Sequence, residues 1–585
     1  MHNKEKISVD GFRYLLHTIV RRATLIDIEN KEVENLVIPP SVSFQGQVFD
    51  VTTIDKKAFY GCDNLVSVTL PCSLTSISNL FYACHSLTSV TIPETVKKIG
   101  RDAFVDCPQL DLVVPNTVTS IEKGAFRGKI KSITFPNTLT SVTKNCIDTD
   151  ICFPTSLVIP HGVVDIVTKV FSGCTTLSSI SIPDSVTRIG NSAFENCTGL
   201  TSIDLPRSVT KIGDVAFKGC NFTSISIPDS VTSIGVDAFS GCVGLTSVTI
   251  PKGVTHLSGF SNCTNLTSIT IPNGITEIGN RAFSGCTGLT SITIPNSVTQ
   301  IGYNAFSGCT GLTSITIPVG VTKIEYGAFS GCTGLTSITI PDGVTKIGSW
   351  AFSGCTGLTS ITIPNSVIKI EFSAFRDCIG LTKMIIPKSV RCIEDEVFRG
   401  AEKLSSVIMM TGITSIGNGA FYECRSLKSI CIPCSVTSIG DNAFYNCTAL
   451  TYVSLPDTIT SVGGFQGCTG LTSISFSDSV TSIEEYAFYD CINLKSITFP
   501  DSLTSIGSGA FCGCTNLASV VIPNSVKGIG AYAFSRCSRL KSAVIPAVNP
   551  DYIYWVEHDV FDECPKVVIQ YRNEGYMEYT GRIYR

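Results

Sequence analysis

One twelve-residue stretch, SGCTGLTSITIP, occurs four times without change in the middle of this 585-residue chain. The copies occupy residues 284–295, 307–318, 330–341 and 353–364, so each begins 23 residues after the previous one. Degraded versions extend from about residue 36 to about residue 545. A fixed period of roughly 20–50 residues is typical of a solenoid, in which each repeat forms one turn of a coil. The repeat therefore constrains the fold more strongly than any other feature of the sequence.

The first part of each repeat predicts a short, half-buried strand. Ile292 and Ile294 alternate with Ser291 and Thr293, which gives one apolar side and one hydroxyl-bearing side. Pro295 then ends the strand, because proline lacks the backbone N–H that a longer ladder would need.

The rest of the repeat predicts a second short strand and a tight corner. Residues 298–301 are β-branched at their ends, and residues 305–309, AFSGC, predict a single helical or 3₁₀ turn closed by glycine. Each apolar side chain gains about 1.5–3 kcal/mol on burial, whereas fixing the backbone costs about 1–2 kcal/mol for every residue. One repeat therefore cannot fold alone, and we expect neighbouring repeats to stack into one continuous core.

The repeat Leu-x-x-Ile-x-Ile-Pro-x-x-Val-x-x-Ile-Gly-x-x-Ala-Phe-x-x-Cys resembles the BspA-like, or Treponema pallidum-type, class of leucine-rich repeat. The predicted fold class is thus a repeat solenoid, mainly β, forming a right-handed coil of about 22 turns. We expect a parallel β-sheet on one face, with short strands and helical or 3₁₀ turns on the other. For function, the resemblance implies binding, often to proteins, and it brings no catalytic residues.

The predicted organisation is a single repeat array at residues 51–546 between two caps, because a solenoid must cover its end turns. Residues 1–50 are interpreted as the N-terminal cap and residues 547–585 as an aromatic-rich C-terminal cap. The alternative for the C-terminal aromatic residues is a contact surface for a partner. Within the array, the repeat is scrambled around residues 129–160, where residues 145–150 are predicted to form a loop.

The charge and hydropathy pattern argue against two classes of partner. Only 15% of the residues are charged and the net charge is −4, so a basic nucleic-acid interface is not expected. No run of 18 apolar residues occurs, so membrane insertion is not expected either. The first twenty residues lack the apolar core of a secretory signal, which indicates retention in the cell. The family resemblance implies the cell surface or secretion, so the localisation stays open.

Twenty of the 27 cysteines occupy one slot of the repeat, three residues before the next inward leucine. Free cysteine is a small, apolar and commonly buried side chain, so these residues are predicted to be packing thiols in one column. None of the other seven forms a zinc-type spacing supported by histidine. Glycine-rich pieces recur with the repeat and are interpreted as turns, not phosphate loops. No catalytic residue, cofactor or metal is therefore predicted, and the chain is not expected to be an enzyme.

The outward positions of the first strand identify a candidate binding patch. The identical repeats carry Ser and Thr there, but four later repeats carry Lys383 with Ile385, Ser406 with Ile408, Ser429 with Cys431, and Tyr452 with Ser454. Stacking predicts an apolar column with the tyrosine beside it, and Met410 replaces the corner proline in the same region. The predicted patch consists of Lys383, Ile385, Ile408, Cys431 and Tyr452. Neutral drift in a tolerant array is the alternative.

Two functional hypotheses follow from the sequence. The first is a non-catalytic binding protein that presents an extended surface for recognition or adhesion, with a protein ligand favoured and a glycan as the second choice. The second is a structural spacer or surface coat without a specific ligand, because four identical repeats add length but no variation in surface residues that could specify a ligand. A lesser alternative is ice binding by the hydroxyl ladder, although the bulky Phe corner favours a curved sheet. The sequence does not indicate the oligomeric state.

Overall fold

The structure is a computed structural model that describes residues 4–122, 124–137, 141–142, 155–546, 559–573 and 576–580. It contains two compact units, Met1–Ile275 and Thr276–Arg585. Each unit is a β-solenoid whose coils recur about every 23 residues, and the described residues contain no helix. The predicted fold class, a mainly β repeat solenoid, is confirmed.

Two columns of parallel strands run through the coils of each unit. The main ladder is formed by the first strand of each repeat, as where Ser314–Thr316 pairs in parallel with Ser337–Thr339. The second ladder is formed by two-residue strands, as where Lys323–Ile324 pairs with Lys346–Ile347. In both ladders like residues of successive repeats face each other, so every slot of the repeat becomes a column.

The first unit begins with a five-stranded sheet in the order Lys4–Val9, Phe12–His17, Arg22–Ile28, Gln47–Ile54 and Ser41–Phe44. The first-strand segments that follow are Asn35–Val37, Ser67–Thr69, Ser89–Thr91, Phe104–Val113, Phe126–Thr134, Ser156–Val158, Ser179–Ser181, Ser247–Thr249 and Ser268–Thr270. The second-strand segments are Ser76–Ile77, Lys98–Ile99, Ser120–Ile121, Ser141–Val142, Asp165–Ile166, Arg188–Ile189, Lys211–Ile212, Ser233–Ile234 and His256–Leu257. One corner strand, Phe81–Tyr82, pairs with Phe104–Val113.

In the second unit, the first-strand segments are Ser291–Ile292, Ser314–Thr316, Ser337–Thr339, Ser360–Thr362, Lys383–Ile386, Ser406–Met409, Ser429–Cys431, Tyr452–Ser454, Ser473–Ser475, Ser496–Thr498, Ser519–Val521, Ser542–Pro546 and Val568–Asn573. The second-strand segments are Glu277–Ile278, Gln300–Ile301, Lys323–Ile324, Lys346–Ile347, Lys369–Ile370, Cys392–Ile393, Ser415–Ile416, Ser438–Ile439, Ser461–Val462, Ser482–Ile483, Ser505–Ile506 and Gly528–Ile529. Tyr576–Thr580 pairs with Val568–Asn573 in the antiparallel direction.

The cap assignments and the loop at residues 145–150 stay predictions. The loop lies outside the described residues, as do residues 547–558 of the proposed C-terminal cap. Five strands within residues 4–54 form a sheet in which three of the four pairings are antiparallel, whereas Asn35–Val37 already pairs in parallel with Ser67–Thr69 of the main ladder. This difference is compatible with an end structure, but the boundary at residue 50 stays untested.

The described corners are turns without a regular helix, and single 3₁₀-type hydrogen bonds occur in them, as from the N–H of Ser307 to the carbonyl oxygen of Asn304 at 3.1 Å. Phe306 donates its N–H to the carbonyl oxygen of Ala328 in the next coil, at 2.8 Å. Gly308 donates in the same way to Ser330 at 2.7 Å, and its φ of 72° is left-handed. Because alternate N–H groups bond to the neighbouring coil, the single turns of the corner cannot extend into a regular helix. We call this third column of inter-coil hydrogen bonds the turn ladder.

The core is formed by the apolar slots of the repeat. Leu335, Ile338, Val344 and Ile347 of one coil are all buried, as their spacing predicts. At the corner, Phe329 is fully buried and its ring stacks between the corner phenylalanines of the two adjacent coils, with centroid separations of 5.5 Å on each side. Such offset ring pairs add to the gain from burial.

The phenylalanine rings form long columns inside each unit. In the second unit the column comprises Phe283, Phe306, Phe329, Phe352, Phe375, Phe398, Phe421, Phe444, Phe465, Phe488, Phe511, Phe534 and Phe561, with centroid separations of 5.0–5.7 Å. In the first unit the columns comprise Phe59, Phe81, Phe104 and Phe126, and Phe171, Phe194, Phe217, Phe239 and Phe260.

The predicted burial of the slot cysteines is confirmed. The buried slot residues are Cys62, Cys84, Cys107, Cys174, Cys197, Cys220, Cys242, Cys263, Cys286, Cys309, Cys332, Cys355, Cys378, Cys424, Cys447, Cys468, Cys491, Cys514, Cys537 and Cys564. The Cys332 thiol donates to the carbonyl oxygen of Phe306 in the preceding coil, with Sγ and O 3.1 Å apart. Burial raises the pKa of Cys332 to about 12, from an ordinary value of 9.0.

The cysteines outside the slot have mixed environments. Cys72, Cys431 and Cys434 are exposed, Cys392 is half-buried, and Cys512 is buried. Cys146 and Cys152 lie outside the described residues.

Truncating one ring of the phenylalanine column should destabilise the fold strongly. We expect Phe329→Ala to lower the free energy of unfolding by about 3–5 kcal/mol, because it leaves a cavity between two stacked coils. Urea denaturation followed by circular dichroism measures this loss. The exposed neighbour Thr339 supplies the control, since Thr339→Ala should change stability by less than about 0.5 kcal/mol. Equal effects of the two substitutions would contradict the stacked core.

Thiol reactivity should separate the two classes of cysteine. We expect Cys431 and Cys434 to be alkylated by iodoacetamide at pH 8 in the folded protein, and Cys332 only after unfolding in urea. Peptide mass spectrometry measures the modification at each site. Because the folded pKa of Cys332 is raised above its ordinary value, its contribution to stability should be lost as the pH rises from about 9 to about 12. Modification of Cys332 as fast as Cys434 in the folded state would contradict its burial.

Candidate functional site

The outer side of the main ladder is lined by hydroxyl groups in the identical repeats. Ser314 and Thr316 are exposed, while Ile315 between them is buried. Strand pairing places Ser337 and Thr339 of the next coil directly beside their counterparts. The repeat thus produces a regular polar surface, against which any apolar side chain is a local departure.

The predicted isoleucines are direct neighbours on this surface. Strand Lys383–Ile386 pairs with strand Ser406–Met409, and Ile385 faces Ile408 in the register. The side chains of Ile385 and Ile408 are 53% and 50% exposed. Two β-branched side chains at opposed positions of a sheet contact each other, so they form one apolar surface.

The two strands are longer here because of a local change in sequence. Each has four residues, whereas Ser314–Thr316 has three. Met410 stands where the repeat has its corner proline, and its N–H donates to the carbonyl oxygen of Ile386 at 3.1 Å. Proline could not make this bond. Met410 is itself 44% exposed, so it extends the apolar surface beyond the end of the strand.

The other predicted residues lie on the neighbouring coils. In the second ladder Ser415 pairs with both Cys392 and Ser438, so the 23-residue register continues across these coils. Cys431 is exposed and occupies the slot of Ile385 and Ile408 in the following coil. Its strand, Ser429–Cys431, pairs with Tyr452–Ser454 and not with Ser406–Met409, so the continuation of the isoleucine column at Cys431 stays a prediction.

Tyr452 and Lys383 border the apolar column in the other outward slot. Tyr452 is 57% exposed and pairs with Ser429, whereas Cys431 pairs with Ser454. Lys383 is exposed and forms no ion pair within the described part of the chain. The candidate patch thus comprises the paired Ile385 and Ile408 and the equivalent residue Cys431 of the following coil, with a cation at one end and an aromatic ring at the other.

The sequence interpretation missed further exposed valines in the same slot of other repeats. Val37 and Val113 are exposed, but each pairs with a threonine, so neither forms an apolar pair. Val521 is also exposed and pairs with the half-buried Val544. The signal that identifies them is a non-hydroxyl residue at the second outward position, which must be read along the whole array.

No cluster of three or more His, Cys, Asp or Glu side chains with the geometry of a metal site occurs among the described residues. Across the same part of the chain, no helix has the length and hydrophobicity needed to cross a bilayer.

Comparison with protein families adds one strong finding. The family described as BspA type leucine rich repeat region matches residues 52–178, 164–259, 257–382, 345–464 and 437–568. These overlapping matches run from residue 52 to residue 568, which is well over half of the chain. No curated protein matches the sequence.

Several solved structures resemble the chain in part. A leucine-rich repeat protein from Bacteroides ovatus is 23% identical, with 96% of this chain and 99% of that chain covered and a TM-score of 0.32. A leucine rich cell surface protein from Faecalibacterium prausnitzii is 26% identical, with 69% and 94% covered and a TM-score of 0.27. A leucine-rich repeat protein from T. pallidum is 26% identical, with 35% and 78% covered and a TM-score of 0.22.

Proposed function

Because the chain belongs to the BspA-type leucine-rich repeat family, we propose that it is a non-catalytic binding protein whose main ladder recognises a protein ligand. Solenoids commonly bind through the extended surface that their stacked repeats create. The observation that carries the proposal is the apolar pair formed by Ile385 and Ile408, which are half exposed on a ladder that carries hydroxyl groups in the identical repeats.

A protein ligand fits this patch better than a glycan does. Exposed aliphatic side chains gain free energy when they are covered by other apolar groups, and a sugar offers mainly hydroxyl groups. Aromatic residues are enriched at the centres of protein interfaces, and Tyr452 supplies one beside the isoleucines. Lys383 adds a charge at the edge, where it would influence the association rate and specificity.

Placing charges on the patch should weaken adhesion strongly. We expect the variant Ile385→Asp, Ile408→Asp, Tyr452→Ala to bind at least tenfold more weakly, because buried and unpaired carboxylates oppose an apolar contact. Binding is measured to immobilised collagen, fibronectin and laminin and to cultured epithelial cells. The wild-type chain should bind at least one of these surfaces.

A matched control uses the same slot in two identical repeats. Thr316 and Thr339 pair with each other as Ile385 and Ile408 do, so Thr316→Asp with Thr339→Asp adds the same charge at an equivalent place. This control should bind like the wild type. The proposal fails if the patch variant and the control bind equally, or if the wild type binds none of the tested surfaces.

The alternative, a spacer without a specific ligand, makes a different prediction. Deleting residues 284–375 removes four whole repeats and preserves the phase of the remaining ones. If the patch binds the ligand, the shortened chain should retain its affinity within about threefold, because the patch lies beyond the deletion. If the chain is a spacer, only the distance that it bridges should shorten, and the aspartate variants should bridge like the wild type. Small-angle scattering measures the length of each variant, and the binding assay above measures its affinity. Together they distinguish a binding protein from a spacer.

A further inference from the structure

A concavity, which we call the corner notch, lies along the turn ladder of the second unit. Its volume is about 320 Å³, and Glu396, Arg399, Gly419 and Tyr422 are among the residues that line it. These residues belong to the corners of the coils, whereas the candidate patch lies on the main ladder. The corner notch therefore needs an explanation of its own.

The notch exists because one slot of the corner lacks a side chain. Trp350, Ser373, Glu396, Gly419 and Asn442 follow each other at 23-residue intervals and share this slot. All five have φ between 53° and 59°, so side chains are accommodated there despite the left-handed backbone. Glycine at this slot is thus not a requirement of the fold, and Gly419 leaves a gap between its neighbours.

The gap at Gly419 is open, whereas two equivalent gaps in the second unit are filled. Gly327 and Gly509 occupy the same slot, and the space that a Cβ would take is occupied by the amide of Asn304 and by the ring of Tyr486, respectively. At Gly419 the nearest heavy atom is Cγ of Glu396, at 3.6 Å from that position. The preceding residue of the slot therefore does not cover the notch.

Ion pairs explain why Glu396 leaves the notch open. Its carboxylate is held by Arg376 of the preceding coil at 2.7 Å and by Arg399 of its own corner at 2.8 Å. Arg399 in turn stacks over the ring of Tyr422, with its guanidinium carbon 4.2 Å from the ring centroid. Because these contacts restrain both side chains, the walls of the notch are organised before any ligand arrives.

The remaining charges of the notch are negative. Asp395 and Asp441 line it from two coils, with Asn418 between them. Asp395 accepts hydrogen bonds from the Asn418 backbone N–H at 2.7 Å and from the Asn418 side-chain amide at 3.5 Å, and neither aspartate forms an ion pair within the described residues. The negative charge of Glu396 is already neutralised by its ion pairs with two arginines. The notch thus presents two carboxylates without a cationic partner, beside the apolar edges of Phe372 and Tyr422.

We propose that the corner notch binds one basic side chain, arginine or lysine, presented by a protein ligand. The cationic head would lie over Asn418, with the carboxylates of Asp395 and Asp441 on either side, and its aliphatic stem would pack against Phe372 and Tyr422. This inference does not rest on the function proposed for the main ladder, because the two sites use different faces of the coils. Each can fail without the other.

The test compares two small probes of nearly equal shape. N-acetyl-L-arginine amide carries a cation, and N-acetyl-L-citrulline amide replaces it with a neutral urea group. Isothermal titration of the full chain at low salt should give a dissociation constant of about 1 mM for the arginine probe. The citrulline probe should bind at least tenfold more weakly. Asp395→Asn with Asp441→Asn should weaken the arginine probe by at least tenfold.

A substitution that fills the notch supplies the second arm. Gly419→Asn should abolish binding, since asparagine occupies the same slot at position 442 with a similar φ and so folds there. Gly327→Asn is the matched control and should leave binding unchanged. Thermal melts establish that all variants are folded.

Three results would overturn the proposal. These are the absence of binding of the arginine probe to the wild-type chain, equal binding of the citrulline probe, and unchanged binding in the Gly419→Asn variant. Binding of methyl β-D-galactoside in place of the arginine probe would likewise overturn it, by assigning the notch to a neutral sugar.

Discussion

Contact between successive coils is the interaction on which the rest of the structure depends. Within each unit the corner phenylalanines stack at 4.8–5.8 Å, and three columns of inter-coil hydrogen bonds join the backbones. Because the register repeats every 23 residues, each slot becomes a column with a constant environment. An inward column must be apolar and uniform, whereas an outward column is free to vary. The surfaces that can acquire a function are therefore the outward columns and the corners.

The burial pattern could be predicted from the sequence, but the conformation of the corner could not. Leu335, Ile338, Phe329 and Cys332 are buried because the period places each one in an inward column. Local propensity indicated a helical or 3₁₀ corner. Single 3₁₀-type hydrogen bonds do form there, but the N–H of Phe306 bonds to the neighbouring coil, so no regular helix results. Competition between local and inter-coil hydrogen bonds is decided by the stacked neighbours, which a single repeat does not reveal.

The two candidate sites also differ in how far the sequence alone could predict them. The adjacency of Ile385 and Ile408 follows from the repeat spacing alone, so the sequence was sufficient to predict it. The corner notch depends on the direction that the Glu396 side chain takes, and that direction is set by Arg376 and Arg399. A glycine at position 419 looks like those at Gly327 and Gly509 in the sequence. Only the positions of the side chains distinguish an open gap from a filled one.

The most direct test of the stacking account is the dependence of stability on repeat number. One, two or three extra copies of the 23-residue repeat that ends at Pro364 can be inserted after that residue in the full chain. If stability comes from contacts between coils, each copy should raise both the free energy of unfolding and its dependence on urea concentration. Inserted copies that leave the urea transition unchanged, or that unfold in a separate transition of their own, would contradict the account.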